Sequence, residues 1–142
     1  MRLVDANVLL YAVNASADHH ARSKAWLDGA LAGREPVAFS WTVLLAFLRI
    51  AAHPAILPRP ISAADAMAVV RAWLAQPAAV VLEPTHRHVD VLAGLLAEAG
   101  TAANLVNDAH LAALAIEHDA VLVSFDADFG RFAGLRHEAP PG

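Results

Sequence analysis

Short apolar runs alternate with longer amphipathic segments along this chain. The runs predict four buried strands and a fifth at a sheet edge, at residues 2–4, 36–40, 80–82, 120–124 and 135–137. The longer segments between them carry apolar residues at helical spacing. Because the strands are continuously apolar and alternate with helices, we predict an α/β fold with a central, mainly parallel sheet of four to five strands and helices on both faces.

The intervening segments predict six helices. These are expected at about residues 7–13, 18–31, 41–52, 62–75 and 85–99, and in the segment that carries Asp108. Ser62 and Thr85 are suitable N-caps, and either Asn104 or Asn107 can cap the last helix. Gly100 is typical of the residue that follows a helix.

Length and composition narrow the classes of protein that fit. The 142 residues suit one domain, which we expect to span residues 1–142. The hydrophobic share of 58% is above the usual ~45–50%, which indicates a large core or a surface covered by a partner. The net charge of −4 argues against a broadly basic nucleic-acid binder. The absence of cysteine excludes disulfides, zinc–thiolate sites and cysteine nucleophiles.

The sequence predicts a cytoplasmic protein without a membrane partner. The amino-terminal apolar run reaches Asp5 too early for the apolar region of a signal peptide. The most apolar stretch, residues 37–48, is too short to span a bilayer and stops at Arg49.

Four aspartates carry the candidate chemistry. Three of them follow predicted strands and one opens an apolar stretch: Asp5, Asp126, Asp128 and Asp108. Carboxylates beside buried strands are costly unless a positive charge offsets them. Since hard oxygen ligands favour Mg²⁺ or Mn²⁺, the pattern indicates metal-assisted phosphodiester chemistry. Taken singly, these residues also fit helix caps, helix-start charges or turns.

Three blocks of the chain resemble those of one known family. Residues 4–11 (VDANVLLY), 104–115 (NLVNDAHLAALA) and 124–129 (SFDADF) resemble the conserved acidic blocks of PIN-domain proteins. Together, in this order, they resemble VapC-type toxin ribonucleases of bacterial toxin–antitoxin pairs. The resemblance implies a single PIN domain with a three-layer α/β/α fold.

The resemblance also implies an activity and its partners. It implies the toxic component of a type II toxin–antitoxin system, a ribonuclease that depends on Mg²⁺, with Mn²⁺ as a substitute. The substrate would be tRNA, rRNA or mRNA, the inhibitor a VapB-type antitoxin, and the toxin itself a homodimer. The metal ligands carried over are Asp5, Asp108 and Asp126, with Asp128 as a further catalytic acid and Asn7 as a support for Asp5.

One position departs from the pattern of that family. Many members have a glutamate where this chain has Ala46. The site would then lack one carboxylate, so a single tightly held metal is expected, with a second arriving with the substrate phosphate. The alternative is a weak or inactive PIN domain that binds RNA or a partner without cleaving.

Other residues offer weaker candidates. A phosphotransfer module would need a lysine near the last strand, but the only lysine is Lys24. The spacing of the histidines does not match a helical zinc pair. Three arginines fit either RNA phosphate contacts or solvated surface positions: Arg49, Arg87 and Arg131. Three tryptophans are expected in the core or an interface: Trp26, Trp41 and Trp73.

Overall fold

The computed structural model describes residues 1–55, 57–100 and 103–142, without the side chains of residues 103 and 104. Within these residues, five strands form one sheet in the order β3-β2-β1-β4-β5, and every neighbouring pair is parallel. They are β1 Arg2–Val4, β2 Val37–Phe39, β3 Ala79–Val81, β4 Val121–Val123 and β5 His137–Glu138. This confirms the predicted parallel sheet, including a fifth strand at its edge.

In the described part of the chain, six α-helices connect these strands: α1 Ala6–Val13, α2 His20–Leu31, α3 Trp41–Ala51, α4 Ala63–Leu74, α5 His88–Ala99 and α6 Ala103–Glu117. A 3₁₀ helix, Ala127–Arg131, follows β4 and had not been predicted. Ser62 caps α4 as expected, because its hydroxyl accepts the Asp65 N–H at 3.1 Å. Gly100 ends α5 with a φ of +92°, a conformation that favours glycine. Within the described residues, no helix is long and apolar enough to cross a membrane.

Two predicted helix starts were wrong. Helix α5 begins at His88, because Thr85 instead accepts the Arg87 N–H in the preceding turn. Asn104 and Asn107 both lie inside α6, so neither is its N-cap. Asp108 is consequently in the second turn of α6 and not at its start.

The core lies on both faces of the sheet. Consecutive residues Leu3 and Val4 on β1 are both fully buried, although their side chains point to opposite faces. Helices therefore cover both faces, as in the three-layer α/β/α arrangement. Trp73 is buried with Phe47, at 5.0 Å between ring centroids, whereas Trp41 is 43% exposed and is not a core residue. Trp26 is half-buried and packs against the core.

The order of the strands sets the position of the acidic residues. β1 lies between β2 and β4, and β1 and β4 run in parallel. The Asp5 N–H donates to the Val123 carbonyl at 3.0 Å, which joins the two strand ends. Residues that follow these strands therefore meet at the carboxyl edge of the sheet.

Candidate functional site

Three groups donate hydrogen bonds to the Asp5 carboxylate. Its Oδ1 accepts the Ala6 N–H at 2.7 Å, so Asp5 is also the N-cap of α1. Its Oδ2 accepts the Ser124 hydroxyl at 2.6 Å and the Asn7 side-chain amide at 3.2 Å. Ser124 is almost fully buried. The Asp5 carboxylate is therefore fixed at the junction of β1 and β4.

Asn7 and Ser124 extend this network to the last acidic block. The Asn7 Nδ2 also donates to the Ser124 Oγ at 3.1 Å, and its Oδ1 accepts the Phe125 N–H at 3.2 Å. The Ser124 Oγ accepts the Asp126 N–H at 3.0 Å. Asp126 in turn caps the 3₁₀ helix by accepting the Asp128 N–H at 2.9 Å. Asn7 thus supports Asp5, as predicted, and also positions the loop that carries Asp126.

Asp108 and Asp5 line the same cavity, which has a volume of about 370 Å³. The lining residues come from β1 and α1, from α3 and from α6: Asp5, Ala6, Thr42, Val43, Leu45, Ala46, Arg49, Asn107, Asp108 and Leu111. Ala46 and Arg49 are on the cavity-lining side of α3. Ala46, the position at which the family resemblance implies a glutamate, therefore lines this cavity.

Burial and neighbouring charges raise the pKa values of Asp5 and Asp108. Burial raises the pKa of the Asp108 carboxyl, and the charges of Asp5 and Asp126 raise it further, while Arg131 acts in the opposite direction. Burial also raises the pKa of Asp5, although hydrogen bonds from Ser124 and Ala6 oppose that rise. Like charges are thus concentrated at one end of the sheet, where a cation would relieve their repulsion.

The structure brings the four predicted aspartates to one region, but in different settings. The charge of Asp126 raises the pKa of both Asp5 and Asp108, and the charge of Asp5 also raises the pKa of Asp108. The Asp128 side chain is 72% exposed and lies 3.5 Å from Arg131. Within the described part of the chain, no three histidine or acidic side chains already have a metal-binding arrangement.

Sequence reasoning missed the role of Ser124. Its signal was a polar residue at the end of an apolar strand, directly before Asp126. It also missed a network between α5 and α6, in which His88 contacts both the buried Glu117 and His110. The His88 Nε2 and the His110 Nδ1 are 2.9 Å apart, and burial lowers the pKa of His110.

Comparison with known proteins assigns the chain to a family. The PIN domain family model matches residues 2–135. Ribonuclease VapC37 of Mycobacterium tuberculosis is 57% identical over 141 residues, covering 99% of this chain and 98% of the relative. Ribonuclease VapC33 of the same species is 42% identical over 140 residues, with 99% and 98% covered. The chain belongs to the PIN-domain family and, within it, to the VapC ribonucleases.

A solved structure shares the fold. The structure of VapBC2 from Rickettsia felis, bound to a DNA fragment from its promoter, has a chain that superimposes with a TM-score of 0.71. Its identity to this chain is 20%, and 97% of each chain is covered. At that identity the likeness supports the fold alone.

Proposed function

We propose that this chain is the toxin ribonuclease of a toxin–antitoxin pair and that it hydrolyses RNA with a bound Mg²⁺ or Mn²⁺ ion. The main support is the meeting of Asp5, Asp108 and Asp126 at the carboxyl edge of the sheet, where their charges repel one another. Membership among the VapC ribonucleases supports the same activity. A cytoplasmic location is still a prediction.

The donor set fits a hard divalent cation. Asp5, Asp108 and Asp126 would hold it through carboxylate oxygens, the ligands that Mg²⁺ and Mn²⁺ prefer. Such an ion supplies charge neutralisation at the scissile phosphate and a water of lowered pKa. Ser124 and Asn7 keep the Asp5 carboxylate in one orientation. The exposed carboxylate of Asp128 would accept a proton from the attacking water or orient it.

Two arginines near the aspartates would contact RNA phosphates. Arg49 lines the cavity with Asp5 and Asp108. Arg131 lies close enough to lower the pKa of Asp108. Guanidinium groups bind phosphate oxygens through two N–H donors, and these two would align the scissile bond with the acidic residues. Arg87 precedes α5 and does not line this cavity, so we assign it no such contact.

Because Ala46 stands where the family resemblance implies a glutamate, an inactive PIN domain is the alternative to an active ribonuclease. Among the described residues of α3 that line the cavity, none carries a carboxylate, since the others are Thr42, Val43, Leu45 and Arg49. The VapC relatives are nevertheless named ribonucleases. We therefore favour an enzyme with one tightly held ion, aided by Arg49.

Ala46→Glu should move the metal dependence of cleavage to lower concentration. The added carboxylate would enter the cavity that contains Asp5 and Asp108 and would offset the charge of a second ion. We expect the half-saturating Mn²⁺ concentration to fall by about tenfold, equivalent to ~1.4 kcal/mol of binding. Initial cleavage rates against Mn²⁺ and Mg²⁺ concentration measure this. Ala93→Glu, at an exposed position of α5, is the matched control.

An unchanged midpoint in a folded Ala46→Glu protein would contradict that expectation. It would mean that a carboxylate at this position does not reach the ion.

A VapB-type antitoxin is the proposed inhibitor, and a homodimer the proposed form of the toxin. An apolar groove of about 370 Å³ lies on the surface of α3 and α4 and is lined by Trp41, Met67, Val70, Arg71, Leu74 and Ala75. Trp41, which lines this groove, is 43% exposed, and Leu45, four residues further along α3, lines the acidic cavity and is 58% exposed. An antitoxin helix in this groove would therefore lie beside the acidic site.

Trp41→Ser should weaken antitoxin binding by about 30-fold or more, because exposed aromatic anchors dominate such interfaces. Binding of the purified cognate VapB to the variant, measured by calorimetry, tests this. Val89→Ser removes a more exposed side chain from α5 and should have no effect.

Light scattering of the toxin at about tens of micromolar tests whether it is a dimer. A monomer that does not change on addition of VapB would overturn both proposals.

A further inference from the structure

Three aromatic rings meet directly beside the acidic site. They are Tyr11 on α1, His19 just before α2, and Phe125, which lies between Ser124 and Asp126. The His19 ring stacks on the Phe125 ring with 4.3 Å between centroids and an angle of 10°. Tyr11 meets the Phe125 ring edge-on at 5.4 Å and lies 5.7 Å from His19. We call these three residues the aromatic cluster.

The backbone around the aromatic cluster is fixed by hydrogen bonds. The Phe125 N–H donates to Asn7, the residue that also holds Asp5. The His20 Nδ1 contacts the Tyr11 carbonyl at 2.8 Å. The Arg22 guanidinium lies 5.1 Å from the Phe125 ring centroid. The rings are thus arranged before any ligand arrives, which lowers the entropic cost of binding.

A second cavity, of about 430 Å³, opens against the aromatic cluster. It is lined by Tyr11, Ser16, Ala17, Asp18 and His19. This volume is within the range of pockets that hold small organic ligands. Two aromatic residues and a carboxylate among the lining residues are features that suit a flat, polar heterocycle.

We infer that this cavity binds one unpaired nucleobase of the RNA substrate, next to the scissile phosphate. The inference rests on the proposed ribonuclease function. Unpaired RNA is recognised by stacking of its bases on aromatic side chains and by hydrogen bonds to their Watson–Crick edges. The His19 and Tyr11 rings supply the stacking surface, and the Asp18 carboxylate accepts hydrogen bonds. Guanine fits best, because its N1–H and N2–H donors lie side by side and match the two carboxylate oxygens.

The position of the cavity agrees with this assignment. Phe125 is directly followed by Asp126, so a base stacked in the aromatic cluster would carry its phosphate towards the acidic residues. The cavity would then determine which base borders the cleaved bond. Substrate choice would come from the loop between α1 and α2, whereas the aspartates perform the chemistry.

The test uses short single-stranded RNAs of uridines that differ only in one central base, either G, A, C or U. Their binding is measured by fluorescence anisotropy to the full chain carrying Asp108→Asn, which prevents cleavage. His19→Ala in this background should weaken binding of the G-containing RNA by about tenfold or more. Asp18→Asn should remove the preference for G and leave the affinity for the A-containing RNA unchanged. His86→Ala, at an exposed histidine beyond β3, is the matched control and should change nothing.

The outcomes separate this inference from the proposed function. If the wild-type chain cleaves RNA but folded His19→Ala and Asp18→Asn proteins keep its base preference, the nucleobase site is wrong and the ribonuclease stands. If the wild-type chain neither binds nor cleaves RNA, both fail. Asp18 is exposed, so Asp18→Asn gives a result even if His19→Ala unfolds.

Discussion

Asp108→Asn is expected to lower the rate of RNA cleavage by about three orders of magnitude or more, in a protein that still folds. Asp108 lines the same cavity as Asp5, and the charges of these residues act on each other. Loss of one carboxylate ligand removes several kcal/mol of transition-state stabilisation. Initial rates on a single RNA in saturating Mn²⁺ measure the effect. Asp90→Asn, at an exposed position on α5, should keep the wild-type rate.

The same substitution should stabilise the metal-free protein near neutral pH. The pKa of Asp108 is raised in the folded state, so its ionisation disfavours folding at any pH above its ordinary value of 3.8. The melting temperature of Asp108→Asn should therefore exceed that of the wild type at pH 7, and the difference should vanish as the pH falls towards 3.8. Wild-type cleavage by Asp108→Asn, or a lower melting temperature at pH 7, would contradict this role.

Asp5→Asn should abolish cleavage as well, but without the gain in stability. The Asp5 Oδ2 accepts hydrogen bonds from both Ser124 and Asn7. An amide nitrogen at that position would face the Asn7 Nδ2, which is itself a donor. The lost hydrogen bonds would offset the relief of charge repulsion.

Ser124→Ala is expected to lower cleavage by about 10- to 100-fold and the free energy of unfolding by about 1–3 kcal/mol. The Ser124 hydroxyl donates to Asp5 and accepts N–H groups from Asn7 and Asp126. Its removal leaves the Asp126 N–H without this acceptor and takes away the shortest of the three hydrogen bonds that orient the Asp5 carboxylate. Cleavage rates and urea unfolding measure the two effects.

Two other serine variants are the controls for Ser124→Ala. Ser124→Thr keeps the hydroxyl and should restore most of the activity. Ser23→Ala removes another buried hydroxyl, whose oxygen has no hydrogen-bond partner among the described residues, and should leave cleavage unchanged. If Ser124→Ala cleaves at the wild-type rate, the position of Asp5 does not depend on this hydroxyl.

The strands and the acidic site were predictable because both follow from local patterns. Buried parallel strands are continuously apolar, and the five runs mark them. Since parallel strands end at one edge of a sheet, Asp5 and Asp126 had to lie close together. The cap of α6 was not predictable, because the chain offers several polar residues before the apolar stretch. The helix in fact includes both asparagines and packs along α5.

Contacts between distant parts of the chain were beyond sequence reasoning. Ser124 reaches Asp5 only because β4 lies beside β1. His88 and His110 are not related by any helical spacing, yet they meet across α5 and α6 at 2.9 Å. The stacking of His19 on Phe125 likewise depends on where the loop before α2 lies. Such contacts are set by packing and not by periodicity.

Binding of Mn²⁺ to the metal-free chain tests most directly whether these aspartates hold a catalytic ion. Electron paramagnetic resonance of the remaining free Mn²⁺ gives the bound fraction. We expect the wild type and Asp90→Asn to bind Mn²⁺ over the concentration range that restores cleavage after EDTA treatment, and Asp108→Asn to lose most of this binding. Equal Mn²⁺ binding by Asp108→Asn and the wild type, or full cleavage of RNA in EDTA, would contradict a metal site formed by Asp5, Asp108 and Asp126.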